Sequence, residues 1–265
     1  MNKSRIKMIA TDYDHTLTNE DRTVPEEVVK VLGQFVQKGG ILLIASGRAP
    51  NSLQQAVNKL PFQMWISPSN GSILRKKDGT GILINEYLDI SIVHKAMEIV
   101  GNLGFPHLFY DDEAYSVLES PETRMYATAL GIEINQVDNI SNYVKEGLRS
   151  LIFRCSEDIT HHVHALLNNE ISEKAQITTS HAKLVDVIPL HAGKGRAVKT
   201  LLDYLDIGNE DCLGMGDSLN DLPLLNSTGK KATVSNGVYE LREIADFIAN
   251  EPKGAGALEI LNHFL

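Results

Sequence analysis

A short apolar run, Ile6-Lys7-Met8-Ile9-Ala10, stops at Asp12-Tyr13-Asp14. Its length and abrupt polar end predict a buried β-strand with carboxylates at its carboxyl edge. Thr23-Val24-Pro25-Glu26 then has the form of a capping box with proline in the first turn. Val28, Leu32, Phe35 and Val36 follow at helical spacing, and Gly39-Gly40 marks the stop. A second apolar strand, Ile41 to Ala45, ends in Ser46-Gly47-Arg48. A helix with Leu53, Ala56, Val57 and Leu60 on one face leads to a third strand, Met64-Trp65-Ile66. Strands alternating with helices imply right-handed crossovers and a parallel sheet covered on both faces, hence a doubly wound α/β core.

Near Ile82 the texture changes. From there to about Val187, strands such as Ala114 to Leu118 and Leu148 to Arg154 mix polar and apolar positions. That pattern predicts a sheet with one wet face and helices on the other, an inserted α+β unit. The α/β texture returns with Gly193-Lys194, a helix through Leu205 and the strand Cys212-Leu213-Gly214-Met215, and Gly254 to Leu265 reads as a closing helix. The division expected is therefore 1–81 and 188–265 for the core and 82–187 for the insert. A chain of 265 residues is long for one simple domain and suits one domain carrying an insertion.

Composition narrows the partners. No apolar stretch approaches the roughly 18 residues of a membrane span, and Met1-Asn2-Lys3-Ser4-Arg5 runs into a strand without a signal-peptide apolar region. The net charge of −9 argues against nucleic acid or an anionic membrane surface. Two cysteines, Cys155 and Cys212, form neither a framework nor a metal spacing, and read as free thiols in a reducing cytoplasm. His161, His162 and His164 lack acidic or thiol companions and read as a solvated helix face. Arg75-Lys76-Lys77-Asp78-Gly79 reads as a charged hairpin turn.

The candidate chemistry gathers at strand ends and helix starts. In strand conformation Asp12 and Asp14 share a side, so one could attack an electrophile while the other handles a proton; alone, the pair is also compatible with a turn. Ser46 offers a hydroxyl and an N–H where a helix is expected to begin, either a phosphate cradle or an N-cap. Lys194 stands between two glycines at a helix entry, with no P-loop around it. Gly216-Asp217-Ser218-Leu219-Asn220-Asp221 again follows a buried strand. Its two acids with an Asn between them suit a hard cation, or simply an acidic helix start.

Four stretches together resemble the motifs of the haloacid dehalogenase superfamily: D-x-D-x-T-L at Asp12 to Leu17, S-G-R at Ser46 to Arg48, K-G at Lys194, and G-D-x-x-N-D at Gly216 to Asp221. Their order and spacing agree, and the large insert and Ser69-Asn70-Gly71 resemble the Cof-type branch of capped phosphatases. The resemblance implies a Mg²⁺-dependent phosphatase acting on a small phosphorylated metabolite, such as a sugar phosphate or phosphorylated cofactor precursor, as a monomer or weak homo-oligomer. It implies Asp12 as nucleophile and Asp14 as acid/base. Mg²⁺ would be held by Asp12, the Asp14 backbone carbonyl and Asp217. Ser46, Gly47, Lys194 and Asn220 would bind phosphate, with Asp221 supporting the metal waters and Lys194. His15 replaces the usual glycine, which leaves substrate breadth open, and Ser235-Asn236-Gly237 matches a further signature without an assigned role. The rivals are a phosphomutase of the same architecture, which needs a cation-rich insert, and a receiver-like signalling domain, which has neither an Asp14 nor a cap.

Overall fold

The computed structural model describes residues 6–117 and 133–265. The first five residues and Leu118 lie outside that set. In chain order the first segment carries β1 (Met8–Thr11), α1 (Glu26–Gln37), β2 (Ile41–Ala45), α2 (Pro50–Asn58), β3 (Trp65–Ser67), β4 (Ile73–Lys76) and β5 (Ile84–Asn85). Next come α3 (Ile90–Val100), β6 (Phe105–Phe109), β7 (Ala114–Ser116), β8 (Ile134–Gln136), β9 (Ser150–Arg154), α4 (Glu157–Ile171), β10 (Ala175–His181) and β11 (Leu184–Pro189). The last segment holds α5 (Lys194–Leu205), β12 (Cys212–Gly216), α6 (Leu222–Asn226), β13 (Lys230–Thr233), α7 (Tyr239–Ile244), β14 (Phe247–Ile248) and α8 (Lys253–Phe264).

The larger sheet has the order β14-β13-β12-β1-β2-β3-β4-β5. It is parallel from β14 to β3, and β4 and β5 add antiparallel strands at one edge. Its strands are apolar on both sides because both sides are covered. Ile9, Leu42, Ile44, Leu213 and Met215 pack with Val28, Leu32, Leu53, Val57 and Ile260 of α1, α2 and α8. Met8, Ala10, Leu43 and Cys212 pack with Ala197, Val198, Leu201, Leu224 and Leu241 of α5, α6 and α7. Chain order runs outward in opposite directions from the β1/β12 pair, so the switch point where open α/β sheets bind ligands lies between these strands.

The second sheet has the order β10-β11-β9-β6-β7-β8, antiparallel except for β7 against β8. Leu108, Leu151, Phe153, Val185 and Val187 point to one face and bury against Val93, Ala96, Val163 and Leu167 of α3 and α4. The alternate positions Phe109, Ile152 and Leu184 point the other way and pack on Ala49, just after β2 of the larger sheet. The β10 strand also packs against the turn Leu219–Asp221. This second face therefore lies over the carboxyl ends of β2 and β12. The larger sheet continues just past Ile82, through β5, and the second sheet runs to Pro189.

Two local expectations are corrected. Thr23 does not cap α1: its N–H and hydroxyl both donate to Asp21 Oδ1, at 3.0 and 2.6 Å, and Pro25 occupies the N-cap. The hydroxyl is spent on a local turn one step before the helix. Ser46 is not at a helix entry, because α2 begins only at Pro50. Its N–H instead extends the β2/β3 pairing by donating to Ser67 O at 2.9 Å.

Candidate active site

Asp12 follows β1 directly, and its N–H donates to Met215 O at 2.9 Å, which fixes it against the end of β12. Asp217 follows β12. The two strands lie side by side, with Thr11 opposite Met215, so carboxylates two hundred residues apart in sequence become neighbours. Lys194, the first residue of α5, enters between them. Its ammonium donates to Asp12 Oδ1 and to Asp221 Oδ1, both at 2.6 Å. Asp221 Oδ2 accepts the N–H groups of Asp217 and Ser218, each at 3.0 Å. Asp217 Oδ1 accepts from the Thr16 hydroxyl at 2.7 Å. Lys194, Asp12, Asp217 and Asp221 are all buried.

Three buried carboxylates with one ammonium leave a deficit of positive charge. Oxygen atoms of Asp12, Asp217 and Asp221 lie within 4.8 Å of one another. Burial, only partly offset by Lys194, pushes the Asp12 carboxyl well above its ordinary range. Burial and the Asp221 charge push Asp217 up to about 7. Burial works to lower the Lys194 ammonium, but Asp12 and Asp221 outweigh it and the net shift is upward. A hard divalent cation matches this donor set, all oxygen and short of counter-charge. Asp221 has both oxygens committed to an ammonium and two backbone N–H groups, Asp217 has both on the hydroxyls of Thr16 and Ser218, and Asp12 has one on Lys194.

Asp14 stands apart from that cluster. Arg48 grips its carboxylate with both prongs, Nε to Oδ2 at 2.7 Å and Nη2 to Oδ1 at 2.6 Å, and lies 5.1 Å over the Tyr13 ring. Such a fork fixes a carboxylate in both position and plane. Ser46 Oγ accepts the Arg48 N–H at 3.2 Å, so the S-G-R stretch both presents its hydroxyl and orients Asp14.

Asn70 links the remaining pieces. Its N–H donates to Ser46 O, and its side-chain oxygen accepts from Asn220 Nδ2, both at 2.9 Å. A Cβ at Gly47 would come within 3.3 Å of that same oxygen. Gly71, at φ 94°, lies so close to the Gly193 backbone that a Cβ there would collide with it, one residue before Lys194. The Ser69-Asn70-Gly71 turn thus holds the Ser46, Asn220 and Lys194 segments in register.

His15 takes φ 59°, a left-handed conformation in which glycine is at ease and histidine is tolerated. Its side chain is exposed. Its carbonyl accepts from Asn236 Nδ2 at 3.2 Å, while Asn236 Oδ1 accepts from Lys253 N and Val238 N donates to Asp217 O. The Ser235-Asn236-Gly237 stretch therefore braces the loops that carry Asp14 and Asp217. Sequence reasoning left this role open, passed over Arg48 as a partner of Asp14, and did not single out Thr16. All three are contacts across the fold, which no local pattern reveals.

A doubly wound sheet with a buried carboxylate and lysine cluster at its switch point defines an α/β protein whose ligand site lies at the carboxyl ends of its strands. The chain belongs to the haloacid dehalogenase-like hydrolases, whose family model matches residues 9–261. It is 23% identical over 244 residues to YkrA of Bacillus subtilis (strain 168), a protein named provisionally as a phosphatase, with 91% of each chain covered. Its fold is similar to that of a haloacid dehalogenase-like hydrolase from B. subtilis (TM-score 0.87, 19% identity, 98% of this chain and 100% of that one). It is also similar to that of BT1666 from Bacteroides thetaiotaomicron, titled among the phosphatases of this superfamily (TM-score 0.82, 20% identity, 99% and 96%).

Proposed function

We propose that the protein is a Mg²⁺-dependent phosphomonoesterase that acts on small phosphorylated metabolites through a phosphorylated Asp12. The observation that carries this reading is the meeting of Asp12, Lys194, Asp217 and Asp221 in one buried cluster, with a second carboxylate, Asp14, held separately two residues on. Asp12 supplies the oxygen that bonds to phosphorus. As the ester oxygen leaves, Asp14 donates its proton to it; the resulting Asp14 carboxylate then takes a proton from the water that breaks the Asp12–phosphorus linkage. Arg48 holds both Asp14 oxygens in this structure, so one prong of the fork has to release for Asp14 to carry the proton, while the other keeps the carboxyl in place. Ser46, Gly47, Lys194 and Asn220 grip the phosphoryl oxygens. Asp12, the Asp14 carbonyl and Asp217 would hold Mg²⁺, and Asp221 would stay committed to Lys194 and the backbone. The cation supplies the positive charge that lets a phosphate dianion enter among carboxylates.

We assign the second sheet with α3 and α4, within residues 86–189, as a cap over this site, which its packing on Ala49 and on the Leu219–Asp221 turn supports. The buried, unpaired Cys155 and Cys212 suit a cytoplasmic enzyme. Among the described residues no helix is long and apolar enough to cross a membrane. The test is turnover of an aryl phosphate and a panel of phosphorylated metabolites. Chelation should abolish it and Mg²⁺ should restore it, whereas full turnover in excess chelator removes the metal from the proposal.

A further inference from the structure

The face of the second sheet that lies over the catalytic cluster carries polar groups which the phosphoryl chemistry does not use. Registered pairs place Asp186 of β11 beside Ile152 of β9, and Ile152 beside His107 of β6. These three share a face, because their sequence neighbours Val185, Val187, Leu151 and Leu108 point to α3 and α4. Ile152 packs with Ala49, so the row is turned toward the strand ends that hold the site. Gln176 on β10 confirms this direction: its amide donates to Leu190 O and Ala192 O, both at 2.7 Å, immediately before Gly193-Lys194.

Asp186 and His107 are only 1% and 6% exposed. The Ser180 N–H and hydroxyl donate to Asp186 Oδ2, at 3.2 and 2.7 Å. Its Oδ1 has no hydrogen-bond partner among the described residues, and neither does the His107 ring. Among the described residues only the Ser69 hydroxyl is a fully buried side-chain polar atom without a partner, so these atoms of Asp186 and His107 keep a narrow opening on the face that covers the reaction centre, where a ligand can reach them. That ligand is not the phosphoryl group, because a carboxylate repels it.

We propose that Asp186 and His107, set on either side of Ile152, read a polyhydroxylated leaving group, Asp186 Oδ1 accepting a hydroxyl proton and the imidazole pairing with a second hydroxyl. The inference rests on the phosphatase reading and adds its specificity residues. Two strand steps separate the pair, about 10 Å, and the apolar Ile152 between them offers a surface for the C–H face of a carbon chain or ring. Burial pushes the His107 imidazole down to about 4, with Arg154 adding to the effect, so near neutrality the ring is both donor and acceptor, as a hydroxyl is. Burial lifts Asp186 to about 6, against the opposing pull of the Ser180 bonds and the Lys194 charge. It is therefore mainly ionised near neutrality and an acceptor only. A cationic amine in the leaving group would instead add charge beside Lys194.

The test compares wild type, Asp186→Asn and, independently, His107→Gln by kcat/KM on a pentose phosphate, ethanolamine phosphate and p-nitrophenyl phosphate. The carboxamide keeps the shape of Asp186 and an oxygen for Ser180. Loss of a hydrogen bond to a charged acceptor should lower the ratio of pentose phosphate to aryl phosphate about 10- to 100-fold, with KM rising more than kcat falls. His107→Gln should lower the same ratio. Proportional losses on all three esters would overturn the proposal and leave a structural role for the Asp186–Ser180 contact. A selective loss on ethanolamine phosphate would overturn it in favour of an amine. Wild type that cleaves the aryl ester but no hydroxylated ester would overturn this inference alone, and wild type that cleaves none would overturn the phosphatase reading with it.

Discussion

One ammonium, that of Lys194, serves two buried carboxylates, while Asp14 answers to a different cation, Arg48. This separation distinguishes the two aspartates of the D-x-D stretch. Asp12→Asn should eliminate both turnover and covalent phosphoenzyme, because an amide is a poor nucleophile. Asp14→Asn should cost roughly 10²–10⁴-fold with an alcohol leaving group and less with a nitrophenolate, which departs without a proton. The Asp14→Asn protein should therefore accumulate hydroxylamine-sensitive label from the aryl ester; wild-type rates on every ester would remove Asp14 from proton transfer. The same cluster sets a pH dependence in the metal-free protein. Asp217 is lifted by burial and by Asp221 from an ordinary value of 3.8 to about 7. The folded chain thus binds a proton more tightly than the unfolded chain across that window. The corresponding stability is present below the lower value and lost as pH rises through the upper one. Tm in chelator should fall between about pH 5 and about pH 8, and the increase in Tm brought by Mg²⁺, which competes with those protons, should be larger at the higher pH. A Tm that rises over this window without metal would contradict the assigned shift.

At the level of elements, the turn Ser69–Gly71 does more than its three residues suggest. All three take positive φ, at 48, 50 and 94°, and the buried Ser69 hydroxyl has no partner among the described residues. Left-handed non-glycine residues each cost about 1 kcal/mol or more, so the turn persists only because Ser46, Arg48 and Asn220 bond to it. Gly71→Ala is expected to lower stability by about 1–3 kcal/mol. Because its Cβ would displace Gly193, it should also lower kcat through the position of Lys194. Denaturant unfolding and steady-state kinetics check both, and an Ala variant as stable and active as wild type would show that the Gly193 backbone yields freely. Sequence pattern reached the strands and the charged residues at their ends, because an apolar run that stops at Asp12 or Asp217 is a local signal. It did not reach what depends on tertiary partners. Thr23 looked like a cap until Asp21 claimed its hydroxyl, and Ser46 looked like a helix entry because nothing local shows that Ser67 claims its N–H. Asp186, a lone charge in the apolar stretch Leu184-Val185-Asp186-Val187-Ile188, was not singled out, because nothing local shows which way its strand faces. The structure turns the Asp186 face onto the site.

On the scale of the whole molecule, each sheet has its own large hydrophobic cluster, and only a small one, Ala49 with Phe109, Ala114, Ile152 and Leu184, joins them, so their relation also depends on the connections between them. Arg149 sits at one of these. It is almost fully buried, with Nε and Nη2 on the Asp111 carboxylate at 2.6 and 3.1 Å, Nη1 on Glu86 O at 2.9 Å, and its guanidinium 3.8 Å over the Tyr87 ring. Around it, Leu88 N donates to Leu148 O, Glu86 N to Ser72 O and Asn51 N to Asp111 O, a continuous path from β9 through the 86–88 connection to α2. One side chain therefore ties the insert, the connection and the core. Asp111 is half exposed, so removing its partner strands no deeply buried charge, and the cost stays below that of a fully buried pair. Arg149→Gln is expected to lower stability by about 1–3 kcal/mol through the lost hydrogen bonds. Its particular mark should be local: amide exchange at Glu86 and Leu88 should quicken more than exchange in β1 and β12. If the second sheet acts as a cap, the variant should also raise KM for substrates with an extended alcohol half more than for an aryl phosphate, because only the former need the cap held in place. Uniform acceleration of exchange across both sheets would mean that Arg149 supports global stability and not the relation of cap to core.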